Sequence, residues 1–362
     1  MLDRWTIVGS VVGLIATLGS ASADEVRVYN WSFYIDEELL QKFEDETGID
    51  IIYDEYDTEE EFEETLLIGN AAYDLVLTSS EFLQDQISVE AYQKLDRQLL
   101  PNAVHLWDFI LNESQSFDPD NAYSVNYMWG TTGIAVDYPQ VSDILGENAP
   151  VDSLALIFDP SYLADLSECG VVLIDSPTEI VRAALLYIGE DPDSQDLEVI
   201  AKAETVLAGI APYVEFESEG IDDMIAEGDA CAVFGWSGDL LAARDYAYEL
   251  ENGVEIEYYI PSEGALIWFD QWAIPADAKN VKAAHRFLNF MMDPENVAAA
   301  SNYVYYANGN FASKDLLLDE VLEDPAIYPS DDVLATLYSA SLYNIETRRF
   351  IDRMWNRALD TD

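Results

Sequence analysis

Short apolar runs alternate with helical patterns in the first quarter of the chain. This strand–helix–strand–helix–strand order predicts parallel strands with helices on the faces of the sheet, a doubly wound α/β layout. Ligands of such sheets bind at the carboxyl ends of the strands, and Trp31-Ser32 and Ser79 each follow a predicted strand. The predicted strands are 26–29, 51–53 and 74–77, and the predicted helices are 37–46 and a segment from the capping box Thr58 and Glu61 to about Gly69.

A second series of apolar strands follows at 133–136, 171–174 and 232–234, and 265–274 predicts an extended segment that crosses back. The small, turn-forming segments 130–133 and 260–264 stand between the two series and are hinge candidates. The simplest architecture is two α/β lobes joined by several crossings, with a cleft between them. We assign 24–131 plus 263–312 to lobe 1 and 132–262 plus 313–362 to lobe 2. The chain is long enough for two such lobes.

The amino terminus predicts an export signal. Arg4 gives a positive start, 7–18 is an apolar run too short to span a bilayer comfortably, and Ala21-Ser22-Ala23 has the small-residue pattern of a cleavage site. We therefore expect residues 1–23 to be a signal peptide that is removed outside the cytoplasm. No cysteine lies near the cut to carry a lipid anchor, and no later apolar run is long enough for a transmembrane helix.

The charge of the chain is extreme. Sixteen Lys and Arg stand against 71 Asp and Glu, which gives a formal net charge of −55. Nucleic acid and anionic membrane surfaces are therefore excluded as partners. The acid excess could concentrate cationic ligands, or it could be a solvated surface suited to a salty environment, where repulsion is screened. The second explanation is favoured, because acids such as Glu59-Glu60-Glu61 fall on predicted exposed helix faces.

The two cysteines, Cys169 and Cys231, stand in a chain expected to be exported. An oxidising compartment favours a disulfide between them, and closing a loop of about 60 residues stabilises by roughly 4 kcal/mol in the chain-entropy model. The alternative is two separate buried thiols. A catalytic cysteine is not favoured, because the histidines, His105 and His285, have no suggestive context.

Aromatic residues and isolated carboxylates recur close to the predicted strand ends and turns. If folding brings them together, they form a box with aromatic walls and acidic ends, which suits a thin organic dication. Cation–π attraction contributes roughly 0.5–2 kcal/mol per ring, and a charge-assisted hydrogen bond about 1.5–3 kcal/mol. The positions are Trp31, Ser32, Ser79, Glu179, Trp236, Asp239, Trp268, Asp270 and Tyr306.

Each of these positions also has an ordinary structural explanation. Trp31 could cap the core, Asp239 could cap a helix after a turn, and Tyr306 could be core. Glu179 follows Pro177, where the first turn of a helix favours an acid in any case. Asp270 is the strongest single candidate.

Strand alternation places Asp270 on one face with Trp268 and Trp272. A carboxylate flanked by two indole rings is costly to bury without a cation. This arrangement therefore indicates a cationic ligand more directly than any other position in the chain.

With these residues in view, the chain resembles the periplasmic polyamine-binding proteins of ABC importers, and within them the putrescine-binding branch. The similarity runs from about Val26 to Trp355 and rests on several blocks in order. These blocks are Tyr29-Asn30-Trp31-Ser32, Phe43-Glu44-Asp45-Glu46-Thr47-Gly48, Met128-Trp129-Gly130-Thr131-Thr132-Gly133, Leu145-Gly146-Glu147-Asn148-Ala149-Pro150-Val151-Asp152-Ser153, Gly235-Trp236-Ser237-Gly238-Asp239, Pro275-Ala276-Asp277-Ala278-Lys279-Asn280 and Tyr306-Ala307-Asn308.

The resemblance implies a type II clamshell of two mixed, mostly parallel sheets with flanking helices. It implies a monomer in the periplasm that closes on a polyamine, with putrescine favoured and spermidine possible, and delivers it to a membrane-bound ABC permease. No cofactor, metal or reaction is implied, and the Cys169–Cys231 disulfide matches the putrescine branch. The implied aromatic walls are Trp31, Tyr34, Trp236, Trp268 and Tyr306; the hydroxyl contacts are Ser32 and Ser79; the ammonium partners are Glu179, Asp239 and Asp270.

The chain departs from the family pattern at one position of the pocket. Family members usually carry an acid directly after the Trp-Ser/Thr pair, where this chain has Phe33. Glu81, two residues past Ser79, is the candidate to replace that charge, and the alternative is one more surface acid. Ser176 occupies a position where spermidine binders tend to have an acid, which favours putrescine.

The residues also bear on three other functions. A carbohydrate receptor would place Asn, Gln and Arg around the rings, whereas these loops offer mostly acids. A ferric-iron receptor would hold an anion with its tyrosines, which an acidic cleft repels. A glycosidase would pair two carboxylates about 5–10 Å apart, one with a raised pKa. The sequence favours a binding protein and not an enzyme.

Overall fold

The computed structural model describes residues 24–56, 61–62, 65–66, 73–218 and 220–359. The signal peptide predicted at 1–23, and Thr58 and Gly69 at the ends of the second predicted helix, lie outside the described residues. The strands are β1 (Glu25–Trp31), β2 (Asp50–Tyr56), β3 (Leu75–Ser79), β4 (Ser124–Asp137), β5 (Val171–Ile174), β6 (Glu215–Glu217), β7 (Ala232–Trp236), β8 (Ile256–Tyr259), β9 (Leu266–Ala273), β10 (Ala307–Asn308) and β11 (Tyr338–Ser339).

Helices flank these strands along the whole described chain. The α-helices are α1 (Glu37–Thr47), α2 (Ser80–Ser88), α3 (Asp108–Ser114), α4 (Tyr138–Leu145), α5 (Ala155–Phe158), α6 (Pro160–Leu166), α7 (Pro177–Tyr187), α8 (Leu197–Ile210), α9 (Ile221–Glu227), α10 (Ser237–Leu250), α11 (Val281–Met291), α12 (Pro294–Val304), α13 (Asp319–Leu322), α14 (Asp331–Leu334) and α15 (Ile345–Leu359). Short 3-10 helices lie at Arg97–Leu99, Pro101–His105, Pro119–Asn121 and Phe311–Leu316.

The strands pair in the order β2-β1-β3-β9-β4-β7-β5-β6, with β10 and β8 added to β4, and β11 added to β9. In the first half β1 is parallel to both β2 and β3, as the alternating pattern predicts. In the second half β5 is parallel to β6 and β7. The connecting strands β9 and β4 run antiparallel to each other, and β9 is also antiparallel to β3 and β4 to β7, so each half is a mixed sheet with flanking helices. The α/β clamshell expected from the sequence is confirmed.

The long strand β4 carries the chain from one half to the other. Its first part pairs with β9 as far as Thr131, and its second part pairs with β7 from Thr132 onward. All four residues of the hinge candidate 130–133 are paired in these ladders, so the segment is extended strand and not a turn, and its role as a hinge stays a prediction. The second hinge candidate, 260–264, does form a turn between β8 and β9, closed by a 2.9 Å hydrogen bond from the N–H of Gly264 to the carbonyl of Pro261. The numbered lobe boundaries stay a prediction.

Two hydrophobic clusters support the fold, one confined to the first half and one that fills the second half and extends into the first. In the first, Phe43 of α1 meets Phe287 of α11 edge to face, with ring centroids 5.1 Å apart, and Trp272 of β9 packs on the same cluster. In the second, Ile180 of α7 and Leu207 of α8 are fully buried together with β5 and β7. The strand ends between these two cores are left to form the site.

Cys169 and Cys231 form the predicted disulfide, with their Cα atoms 5.5 Å apart. It ties the chain two residues before β5 to the residue directly before β7. Among the helices of the described residues, none combines the length and the apolar character that a membrane crossing requires.

Candidate ligand-binding site

Three strand-to-helix junctions supply the polar side of the site. β3 ends at Ser79 where α2 begins, and β7 ends at Trp236 where α10 begins. Glu179 lies in the first turn of α7 and Asp239 in the first turn of α10. An acid in the first turn of a helix is stabilised by the unpaired N–H groups there. The carboxyl-end position expected for a ligand site is thus occupied by these side chains.

Asp270 comes from β9 and lies beside Ser79, its partner in the ladder with β3. Its residue is only 7% exposed, and its carboxylate accepts a 2.7 Å hydrogen bond from the Tyr34 hydroxyl. Burial raises the pKa of Asp270 to about 7; the hydrogen bond from Tyr34 opposes this, and the charge of Asp239 adds to it. The electrostatic coupling to Asp239 indicates that the two acids share one end of the site.

Asp239 accepts a 3.1 Å hydrogen bond from the hydroxyl of Tyr306. Burial raises the pKa of Asp239 to about 6, against the lowering effect of this bond. The Tyr306 ring meets Trp268 and Tyr34 edge to face, with centroids 5.0 and 5.6 Å away. Three of the predicted aromatic walls therefore form one cluster around the two aspartates.

Two glycines let this aromatic cluster approach the backbone. A Cβ atom at Gly130 of β4 would lie 2.4 Å from the Trp268 ring, and one at Gly238 of α10 would lie 1.9 Å from the Tyr306 ring. Either distance is far below van der Waals contact, so a side chain at these positions would displace the rings. The glycines of the segments Gly130–Gly133 and Gly235–Gly238 thus have a packing role that the sequence pattern alone does not specify.

The carboxylate of Glu179 is held by two donors. Thr132 Oγ1 donates to Oε2 at 2.6 Å, and Trp236 Nε1 donates to Oε1 at 3.1 Å. Burial raises the pKa of Glu179 to about 7, the two hydrogen bonds oppose the rise, and the charge of Glu81 adds to it. Trp236 is thus a hydrogen-bond donor as well as a wall, and Glu179 marks the second acidic part of the site.

Glu81 lies in the first turn of α2 and reaches toward α7. Its carboxylate accepts a long, 3.4 Å hydrogen bond from Thr178 Oγ1, beside Glu179. Phe33, in contrast, is 83% exposed, and its backbone N–H donates to Glu55. The structure therefore places Glu81 next to the site residues and the Phe33 ring in solvent.

Trp31 is the last residue of β1 and Ser32 follows it, and both contact β2. The Trp31 ring packs against Tyr56 with centroids 4.3 Å apart, and the backbone N–H of Ser32 donates to the Tyr56 carbonyl at 3.1 Å. Both residues keep part of their surface accessible, as does Ser79. All three lie at or directly after the expected strand ends. Their role as ligand contacts stays a prediction.

The carboxylates of Glu179, Asp239 and Asp270, hereafter the acid trio, lack a nearby cation. Within the described ranges, no Lys or Arg forms an ion pair with any of them. Arg182 acts on Glu179 only at longer range, since its guanidinium group is bound to Asp193 and to the carbonyl of Ser341. Desolvated anions without a cation are costly, so the site is electrostatically incomplete.

Sequence reasoning missed Thr132 as a site residue. The glycines of the segment 130–133 indicate a hinge candidate, and a threonine there gives no further signal because threonine is common in strands. Only the pairing of Thr132 with Trp236 across β4 and β7 shows that its hydroxyl lies beside Glu179. No signal in the sequence alone identifies this contact.

Two α/β halves joined by a crossing strand, with anions and aromatic rings at the facing strand ends, define a clamshell solute receptor. The chain belongs to the family of bacterial extracellular solute-binding proteins, whose model matches residues 38–329. The membership confirms a binding protein and not an enzyme, as the sequence indicates.

Relatives cover nearly the whole chain. The chain is 41% identical to the putrescine-binding periplasmic protein SpuD of Pseudomonas aeruginosa, over 97% of this chain and 95% of SpuD. It is 39% identical to the putrescine-binding periplasmic protein PotF of Escherichia coli, over 98% of both chains. The resemblance to the putrescine-binding branch is confirmed.

Solved structures agree with this assignment. A putative spermidine/putrescine ABC transporter protein from Listeria monocytogenes superimposes with a TM-score of 0.80 at 29% identity, covering 94% of this chain and all of that one. The spermidine/putrescine substrate-binding protein PotD from Streptococcus pneumoniae gives a TM-score of 0.81 at 25% identity, over 92% of this chain and 98% of that one. The clamshell fold of the periplasmic binding proteins is therefore shared.

Proposed function

We propose that this protein captures a polyamine, with putrescine favoured and spermidine possible, and delivers it to a membrane-bound ABC permease. The names of the relatives support the ligand class and the periplasmic location. In this proposal residues 1–23 are removed as a signal peptide, and the mature chain acts as a monomer in the periplasm. Lobe 1 is 24–131 plus 263–312, and lobe 2 is 132–262 plus 313–362.

The observation that carries the proposal is the acid trio. Each of its carboxylates is desolvated enough to raise its pKa by burial. An ammonium group placed beside such a carboxylate recovers the missing electrostatic stabilisation. Two separated acidic parts, Asp239 with Asp270 and Glu179 with Glu81, suit a ligand with a cationic group at each end.

The aromatic rings suit the chain between the two ammonium groups. The Tyr306 ring meets both Trp268 and Tyr34 edge to face, and the hydroxyls of Tyr34 and Tyr306 donate to Asp270 and Asp239. Ring faces attract cations and pack against methylene groups at the same time. Trp236 extends this apolar lining to Glu179. A carboxylate ligand would be repelled by these anions, and a sugar would leave their charges unneutralised.

Closure follows from contacts that the ligand makes to both lobes. Asp239 belongs to the proposed lobe 2 and Tyr306 to lobe 1, and their hydrogen bond already spans the cleft. A dication bridging the acid trio interacts more strongly with the closed form. Differential affinity of about 5.5 kcal/mol would shift a population from 1:99 to 99:1, and two paired and stacked ammonium groups supply that amount.

Glu81 replaces, in this proposal, the acid that Phe33 removes from the usual family position. Support comes from its place beside Glu179 at the inter-lobe contact with Thr178. Glu81→Gln should weaken putrescine binding about tenfold, the loss expected for one charged partner. Glu249→Gln, at an exposed position of α10, is the matched control. Unchanged affinity in Glu81→Gln, measured by calorimetry, would show that Glu81 is a surface acid.

The proposal is tested by titrating the purified mature chain with amines. Putrescine, cadaverine, spermidine and agmatine should each raise the melting temperature to an extent that follows their affinity, and calorimetry then ranks them. Glucose and γ-aminobutyrate serve as uncharged and zwitterionic controls. Binding of a control in preference to every diamine would contradict the proposed ligand class.

A further inference from the structure

Thr132 occupies the position where β4 exchanges one set of partners for the other. Its neighbour Thr131 is the last residue paired with β9, whereas Thr132 pairs with Trp236 of β7. The residue is only 2% exposed. Thr132 and its register partner Trp236 each donate to one oxygen of Glu179, at 2.6 and 3.1 Å. The carboxylate is therefore held by the crossing strand and by the strand beside it.

A small recess adjoins this contact. Its lining includes Thr132 and Glu179 together with Pro261 and Gly264, which belong to the second segment between the lobes. Two of the three connections between the proposed lobes thus come close to the same carboxylate.

We propose that Thr132 is a positioning residue that orients Glu179 for the ligand and links that carboxylate to the strand on which the lobes turn. This inference rests on the proposed function, since it assigns Glu179 to the ligand. Thr132 does not contact the ligand itself. Its hydroxyl fixes one oxygen of Glu179, while the indole N–H of Trp236 fixes the other, so the carboxylate has a single orientation toward the cleft.

The hydrogen bond also favours the charged form of Glu179. Donation from a hydroxyl stabilises a carboxylate more than a neutral carboxyl group. The other groups that act on Glu179 electrostatically are Glu81 of α2, Arg182 of α7, Tyr258 of β8 and Tyr338 of β11. None of them is altered when only the Thr132 hydroxyl is removed.

Thr132→Val removes the hydroxyl at nearly constant volume, and Thr132→Ser keeps it. Thr131→Val is the matched control, because Thr131 is also buried in β4 but its hydroxyl bonds to Tyr258. We expect Thr132→Val to weaken putrescine binding about tenfold at neutral pH, with the loss shrinking toward about pH 8.5 as Glu179 ionises. Thr132→Ser should remain within about twofold of the parent chain. Thr131→Val should keep the parent pH profile.

A loss in Thr132→Val that is equal at every pH, or one that serine does not rescue, would overturn the inference. The titration of Glu179 can be followed without ligand by carbon NMR of the chain with labelled glutamate, assigned through Glu179→Gln. The midpoint should move to higher pH in Thr132→Val alone; an unmoved midpoint would also overturn the inference. Failure of the parent chain to bind any diamine would contradict the proposed function instead and leave this NMR result as the deciding one.

Discussion

Replacing Asp270 with asparagine should stabilise the ligand-free protein and weaken its binding of putrescine. Asp270 is 7% exposed, lacks a cation, and has a pKa raised from 3.8 to about 7 by burial. By the relation of about 1.36 kcal/mol per pKa unit, ionising it in place costs about 4 kcal/mol more than ionising it in water. Asparagine removes that cost and still accepts the hydrogen bond from Tyr34, although less strongly. The expected gain in the free energy of unfolding at pH 8 is about 1–3 kcal/mol.

The pH dependence of this gain has a definite sign. Below about pH 4 the Asp270 carboxyl is protonated in both the folded and the unfolded chain, so parent and variant differ little. Between about pH 4 and 7 the unfolded chain releases the proton and the folded chain keeps it, so the parent loses stability as the pH rises. Above about pH 7 the difference is constant. Asp270→Asn should therefore gain on the parent across that window.

Urea unfolding at several pH values and constant salt measures the gain in the free energy of unfolding. Calorimetry with putrescine measures the loss of affinity. Binding should weaken by at least 2 kcal/mol, about 30-fold, because a charged partner of the ligand is gone. Asp165→Asn, at an exposed position of α6, is the control and should change neither quantity. The reasoning is refuted if Asp270→Asn is no more stable than the parent at pH 8, or if it binds putrescine within about threefold of the parent.

Two further predictions concern the frame around the site. Arg348 of α15 donates a 2.7 Å hydrogen bond across the proposed lobes to Asp85, which lies one turn after Glu81 in α2. Arg348→Gln should weaken the binding of putrescine and of spermidine equally, by about two- to fivefold, and by less in high salt. A changed ratio of the two affinities in calorimetry would contradict a role in closure alone. Replacing both Cys169 and Cys231 with serine removes a disulfide that joins residues 62 positions apart. The free energy of unfolding should fall by about 2–4 kcal/mol, while the affinity for putrescine stays within about twofold. An unchanged urea midpoint would show that the disulfide contributes nothing to stability.

The sequence predicts the strands and the site residues better than it predicts their contacts. The hydrophobic pattern locates β1, β5 and β7 to within a few residues, because short apolar runs between turn residues are typical of buried strands. Asp270 stands out in the sequence because a carboxylate between two indole rings is costly to bury without a cation. The structure shows that Asp270 is buried, and no Lys or Arg of the described residues forms an ion pair with it.

Contacts between distant segments lie beyond such reasoning. The turn predicted at 130–133 is instead extended strand, since ladder pairing on both flanks overrides the local preference of glycine. The bond from Thr132 to Glu179 and the ion pair of Arg348 with Asp85 depend on where whole elements are placed. Periodicity and turn chemistry contain no information about those placements.

Proton release on binding tests the acid trio most directly. Titrating the parent chain with putrescine at about pH 6.5, in buffers of different ionisation enthalpy, measures the protons released per ligand. Because burial raises the pKa values of Glu179 and Asp270 to about 7 and that of Asp239 to about 6, ligand binding should release about one proton or more, and affinity should rise between about pH 5.5 and 8. An affinity that does not vary with pH, with no proton released, would contradict a site of desolvated carboxylates that the ligand neutralises.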